Sequence, residues 1–364
     1  MTVPPALFDP LKVGDLLLPN RIVMAPLTRC RAGASRVPND LMVEYYRQRA
    51  SAGLILTEAT IVSAMAAGYA GTPGIWSSEQ VEGWRHVTSA VHREGGFTFL
   101  QLWHVGRVSH PMFLDGKLPL APSAIAPAGH VSQVRPKTAY VTPRALERSE
   151  ILAVVEEFRR GAGNAERAGF DGVELHGANG YLLDQFLQDK TNQRTDDYGG
   201  SVENRARFML EAADAAISVW GPGRVSMHLA PRSDAHDMGD SDPAATFSYV
   251  ARELGRRKIA FLCAREHAAP DSLGPKMRAA FGGVYMVNEG FTRESAAQIL
   301  AAGDADAVAF GKLFISNPDL PRRLRTNAPL CPWNAATFYS SGAEGYTDYP
   351  ALQAPIAPLN APIG

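Results

Sequence analysis

His176, Asn179 and Tyr181 stand in the order His-x-x-Asn-x-Tyr, with Gly177 and Gly180 between them. That spacing sets an imidazole and a carboxamide beside a phenol. A phenol has an ordinary pKa of about 10, so it keeps its proton at pH 7 and can deliver it to a developing carbanion. A structural alternative stands beside this reading, with His176 bonded to backbone, Asn179 in a turn next to Gly180, and Tyr181 as a half-buried core ring. A second grouping is Asn288-Glu289-Gly290-Phe291-Thr292 together with Phe310-Gly311-Lys312. Gly290 admits close backbone approach, and Thr292 can cap a helix over 293–302 whose free N–H groups would face an anion. Gly311-Lys312 adds a flexible amide and a point charge. Two such turns suggest phosphate, although each alone is also an ordinary turn.

These groups need a frame. Eight short apolar runs recur along the chain: Ile22–Pro26, Leu54–Ala59, Phe97–Trp103, Gly172–His176, Val225–Ala230, Ile259–Cys263, Val284–Asn288 and Ala307–Gly311. They lack apolar/polar alternation, as expected of parallel strands covered on both faces. Helix-period stripes lie between them, over Glu79–Glu94, Ile151–Ala168 and Ser201–Trp220. The alternation predicts one α/β domain over 1–364, a (β/α)₈ TIM barrel. In such barrels chemistry gathers where strands end. Those ends hold Pro26-Leu27-Thr28, Glu58-Ala59, Gln101-Leu102-Trp103, the His176 motif, His228 and the two glycine turns. A ring of amide, hydroxyl and imidazole groups nearly free of carboxylates suggests a neutral or anionic ligand, and no metal site is expected. The segment 104–148 carries six prolines and no sustained period. It is read as a loop excursion capping the mouth. From Ala351 the chain reads as a loosely held C-terminal tail.

Of 364 residues, 46% are hydrophobic and 20% charged, which excludes a disordered or fibrous chain. A formal charge of -1 gives no bulk field toward nucleic acid or an anionic membrane. Cys30, Cys263 and Cys331 are too scattered for a disulfide framework or a Cys-x-x-Cys site. No signal-like start or long apolar stretch occurs, so a cytoplasmic protein is expected, monomeric or homo-oligomeric, with small-molecule partners only.

Several longer segments resemble the old yellow enzyme family of FMN-dependent NAD(P)H:flavin oxidoreductases, the ene reductases. More narrowly they resemble the bacterial xenobiotic, pentaerythritol tetranitrate and N-ethylmaleimide reductases. The segments are LFDPLKVGDLLLPNRIVMAPLTR at 7–29, YYRQRASAGLILTEAT at 45–60, QLWHVGRVSHP at 101–111, the stretch from His176 to Phe208, DAVAFGKLFISNPDL at 306–320 and TFYSSGAEGYTDYP at 337–350. The resemblance implies non-covalent FMN, with NAD(P)H as hydride donor in a ping-pong cycle. Thr28 would bond the flavin near its C4 carbonyl and N5. Pro26, Leu27 and Ala59 would shape its seat, Gln101 would meet the pyrimidine edge, Gly290, Gly311 and Lys312 would hold the phosphate, and Asn288 would also bind the cofactor. His176 and Asn179 would bind the oxygen of an enone, maleimide, nitroalkene or nitrate ester. Tyr181 would protonate the substrate, and Trp103 and Tyr346 would line its cavity.

Three residues depart from the family pattern. His228 stands where most members have Arg beside flavin N1. An ordinary imidazole is mostly neutral at pH 7, so a less positive seat is expected unless His228 is held protonated or Arg232 folds back. Glu289 stands where Gly is common, and must point away from a phosphate or pair with a base such as Arg293. Lys312 replaces the usual Arg, a point charge instead of a fork. The competing reading is a phosphate-binding barrel lyase or isomerase without flavin, which needs a Schiff-base Lys or a catalytic Glu. Glu58 and Glu174 are the carboxylates available for it.

Overall fold

Eight parallel strands pair in sequence order and close on themselves: β1 Ile22–Met24, β2 Leu54–Leu56, β3 Thr98–Trp103, β4 Gly172–Gly177, β5 Val225–Leu229, β6 Phe261–Arg265, β7 Tyr285–Asn288 and β8 Ala307–Phe310. Closure comes from β8 beside β1, with Val308 opposite Ile22. This is a (β/α)₈ barrel, seen here in a computed structural model that describes residues 6–352. The tail read at 351–364 is anchored at its first residues, where the Leu352 amide donates to Asp319 at 2.8 Å. Its remainder, 353–364, lies outside the described residues.

The strands carry no alternation because both faces are covered; all six residues of β3 and of β4 are buried. Helices wrap the outside: α1 Asp40–Arg47, α2 Ser78–Arg93, α3 Arg148–Arg167, α4 Leu182–Leu187, α5 Val202–Trp220, α6 Pro243–Arg256, α7 Gly274–Phe281 and α8 Arg293–Ala302, then α9 Lys312–Ser316 and α10 Leu320–Thr326. Local chemistry starts several of them. Ser77 and Gln80 form a capping box for α2, and the Ser201 hydroxyl accepts from the Asn204 amide to open α5. α2 then turns Val81, Trp84, Val87 and Val91 inward, at the three- and four-residue steps of its sequence.

A hairpin of Leu11–Val13 and Leu16–Leu18 precedes β1. Its Leu11, Val13, Leu16 and Leu18 share one core cluster with the barrel residues Val23, Leu54, Phe99, Phe261 and Met286. The amino-terminal end is thereby stoppered, and access to the interior is from the carboxyl end. The segment 104–148 contains a short helical turn at Pro111–Phe113 and a two-residue parallel pair, Leu120–Ala121 with Arg144–Ala145. It is tied to the mouth by Arg107, which donates to the His236 carbonyl at 2.7 Å. No helix among the described residues is long and apolar enough to cross a membrane.

Candidate active site

The carboxyl ends of the strands enclose a cavity of about 750 Å³. Eleven expected site residues line it: Pro26, Leu27, Thr28, Gln101, His176, Asn179, His228, Asn288, Gly290, Gly311 and Lys312. Parallel strands closed into one barrel bring their last residues to one rim, which explains why positions from 26 to 312 converge.

The His176 and His228 rings lie 5.9 Å apart, and both are buried. Neither nitrogen of His228 has a partner, nor has Nδ1 of His176. Burial, helped by the nearby His228 and the Arg265 guanidinium, holds His176 well below the ordinary histidine range, so it is neutral. Gln101 donates from Nε2 to Glu174 Oε2 at 2.7 Å, while Glu174 Oε1 is buried without a partner. His228 Nδ1 lies 3.6 Å from that Glu174 Oε2. Arg232 does not fold back toward it, being held by Glu266, Asp271 and the His267 carbonyl.

Cys263, His228 and Glu174 bring potential ligand atoms within 4.8 Å of one another. Burial and the nearby Glu174 carboxylate push the Cys263 thiol up, so it keeps its proton and makes a poor ligand.

The turn after β4 places the remaining groups. Asn179 and Gly180 both have positive φ, +60° and +78°. Asp184 accepts from the Gly180 amide at 2.9 Å and from Gln188 at 2.7 Å. Gln185 donates to the Gly180 carbonyl at 2.7 Å. α4 thus clamps the turn that carries Asn179 and Tyr181. Tyr181 stands beyond His176, with ring centroids 5.0 Å apart, and its hydroxyl is 2.9 Å from that of Tyr69. Burial raises the phenol above its ordinary range, against the opposing hydrogen bond from Tyr69, so Tyr181 keeps its proton.

Burial also pushes the Asp184 carboxyl up to about 7. A raised carboxyl favours folding while it is protonated, so its stabilising share is complete below pH about 4 and fades as pH rises toward 7. Asp184→Asn keeps the shape without the charge. Its melting temperature is expected to fall less steeply between pH 4 and 7 than that of the wild type, and parallel melting curves would refute this account.

Four expected residues lie elsewhere than in the cavity wall. Tyr346 is fully buried and stacks on Tyr45 at 4.0 Å, with the Arg31 guanidinium 4.3 Å above its ring. It is a packing residue, and the same C-terminal segment instead supplies Phe338 and Tyr339 to the wall. Arg29 and Arg31 hold that segment, donating to the carbonyls of Phe338, Gly345, Thr337 and Gly342. Trp103 sits behind the wall, its ring 4.8 Å from Tyr181 and 6.2 Å from His176. Ala59, just past β2, is buried. Tyr181 itself is partly buried, packed against the core.

Arg265, at the end of β6, was missed by the sequence reading. It lines the cavity and donates to Asn179 Oδ1 at 2.8 Å and to Glu289 Oε1 at 3.0 Å. The signal was there: β6 runs to Arg265, two residues beyond the strand read from composition. Glu289 therefore pairs with Arg265, and with His267 at 3.2 Å, and not with Arg293. Tyr69, in the loop after β2, carried no distinguishing sequence signal.

On the same rim Gly290 has φ +78°, and Thr292 caps α8 through Ser295. Lys312 Nζ lies 5.9 Å from the Trp333 ring centroid. A Cβ built on Gly311 would meet only Leu27, at 3.4 Å. The protein leaves that side of Gly311 open, and its bareness leaves room for a ligand. Orphaned imidazole nitrogens, bare glycine backbone and a lysine line one cavity, a set suited to the edge atoms and the phosphate of a phosphorylated heterocycle.

A barrel with that mouth is a flavoprotein of the TIM-barrel class. The chain belongs to the NADH:flavin oxidoreductase / NADH oxidase family, whose pattern matches residues 6–330, in agreement with the old yellow enzyme resemblance. The chain is 43% identical to 12-oxophytodienoate reductase 1 of Oryza sativa subsp. japonica, over 95% of its own length and 93% of that protein's. It is 44% identical to a probable flavin mononucleotide-dependent alkene reductase of Leishmania infantum, covering 95% and 97%. Morphinone reductase in complex with tetrahydroNAD superposes with a TM-score of 0.93 at 48% identity, covering 98% and 100%.

Proposed function

We propose that the chain is an FMN-dependent ene reductase that uses NAD(P)H to reduce activated C=C bonds of enones, maleimides or nitroalkenes, and nitrate esters by the same oxygen contact. FMN, when bound, supplies the hydride chemistry. The chain's residues supply the rest. His176 and Asn179 donate to the activating oxygen of the substrate, where negative charge builds. Such donors are worth a few kcal/mol each when water is excluded. Tyr181, kept protonated by burial, gives its hydroxyl proton to the substrate α-carbon. Thr28 and Gln101 hold the ring edges of the cofactor, and Gly290, Gly311 and Lys312 its phosphate. The observation that carries this reading is the convergence of a neutral imidazole, a carboxamide and a protonated phenol at the exit of one strand, beside a cavity that Gly290, Gly311 and Lys312 also line. The whole chain is read as one domain, with 104–148 as its lid.

The lyase or isomerase reading is not favoured by the carboxylates it needs. Glu58 is buried and accepts from the Arg29 amide and the Tyr46 hydroxyl, and Glu174 is engaged by Gln101. The test is direct. Purified protein is expected to carry FMN, to consume NAD(P)H anaerobically on addition of 2-cyclohexenone, and to yield cyclohexanone. A colourless protein, or a yellow one that leaves the enone untouched, would falsify the proposal. Removing one cationic contact to a phosphate costs about 1.5–3 kcal/mol, so Lys312→Ala is expected to weaken FMN binding about 10- to 100-fold in equilibrium dialysis. An unchanged dissociation constant would remove Lys312 from the phosphate site.

A further inference from the structure

Asn179 can serve a substrate oxygen only if its amide nitrogen, and not its oxygen, faces that oxygen. Its own backbone does not decide this. The backbone is fixed separately: His236 Nδ1 lies 2.8 Å from the Asn179 carbonyl, which can only accept. The side-chain amide is set by Arg265, whose guanidinium has donors and no acceptor. Because Arg265 donates to Asn179 Oδ1 at 2.8 Å, the flipped amide would set N–H against N–H. Both Nδ2 hydrogens are then left free. The guanidinium charge also draws electron density toward Oδ1, which strengthens Nδ2 as a donor to a developing oxyanion.

Arg265 is held in turn. Its second arm donates to Glu289 Oε1 at 3.0 Å, and His267 Nε2 lies 3.2 Å from the same oxygen. Glu289 has φ +97°, where a residue other than glycine is strained, and Gly290 follows at φ +78°. A glycine would relieve that strain. A glutamate there makes sense as the anchor of Arg265, and its carboxylate cancels a cation that would otherwise stand unpaired in the cavity.

We propose that Arg265 is a positioning residue that fixes the Asn179 carboxamide as a donor toward the substrate oxygen, with Glu289 holding Arg265 at the expense of local backbone strain. This rests on the proposed role of Asn179, and the test separates the two. The holoenzyme and its Asn179→Ala, Arg265→Ala and Arg265→Ala/Asn179→Ala variants are titrated with 2-cyclohexenone in the oxidised form, without NAD(P)H, and binding is read from the flavin absorbance. Arg265→Ala is expected to raise the dissociation constant about tenfold. In the Asn179→Ala background the same change is expected to add little, because the two act through one contact. Arg265→Lys, which keeps a donor, is expected to recover part of the loss. Glu289→Gly is expected to weaken enone binding in the same direction while raising the melting temperature, a pairing that a merely structural role would not produce. Loss of affinity in Arg265→Ala that simply adds to that of Asn179→Ala would overturn the positioning role, as would affinity unchanged in Arg265→Ala. Should Asn179→Ala itself bind the enone normally, the site reading fails before the positioning question arises. If Arg265→Ala does not fold, Arg265→Lys and Glu289→Gly carry the same comparison.

Discussion

Tyr181→Phe is expected to slow reduction of an enone by about 10²- to 10⁴-fold, the usual share of a positioned proton donor. Consumption of NAD(P)H before the alkene is added should change little, because no proton from Tyr181 is needed there. Phenylalanine keeps the ring contacts at 4.8 Å to Trp103 and 5.0 Å to His176, so the loss isolates the hydroxyl. Its one other consequence is a Tyr69 hydroxyl deprived of its 2.9 Å partner, and Tyr69→Phe serves as the control for that. Because burial holds the Tyr181 phenol above its ordinary range, its ionisation should not limit activity below pH about 10. Stopped-flow measurement of the two half-reactions decides the matter. Enone reduction at the wild-type rate would assign the proton to water.

His176→Ala should cost about 10²- to 10³-fold in kcat/KM for the same substrate, the scale of one lost oxyanion donor. With Asn179→Ala the losses should not add, since either donor alone can partly hold the oxygen. The buried, neutral state of His176 gives this prediction a pH signature. With its pKa held well below 6.5, the imidazole donates as a neutral ring, so no acidic limb near 6.5 in the rate profile should arise from it. Stability runs the other way. A histidine with a depressed folded pKa supports the fold above the ordinary value of about 6.5 and loses that support as pH falls below it. His104, lowered to about 3 by burial, acts in the same sense. His176→Ala should therefore flatten the acid side of the stability curve while lowering turnover. A variant that lost neither activity nor acid sensitivity would leave His176 a mere packing residue.

How much of this was legible beforehand depended on the range of the forces involved. All eight strands were placed from their apolar runs, and the helix over 293–302 was placed residue for residue, because capping and burial leave marks within a few positions. Boundaries slipped where residues at a strand end are polar. β6 extends two residues past Cys263, and that slip hid Arg265. The C-terminal motif offers several aromatics to the mouth. Which of Phe338, Tyr339 and Tyr346 faces the cavity is decided by the two arginines that pull this segment onto the β1 exit, over 300 residues away in the chain.

The order of strands and helices, the barrel they close and the grouping of an imidazole, a carboxamide and a phenol at the exit of the fourth strand were therefore written in local patterns of burial, capping and spacing. The orientation of the Asn179 amide, the bond between the Tyr69 and Tyr181 hydroxyls and the pairing of Glu289 with Arg265 were not. Each joins groups on different strand exits, and hydrogen bonds of about 3 Å exist only once barrel closure has fixed how those exits stand against one another.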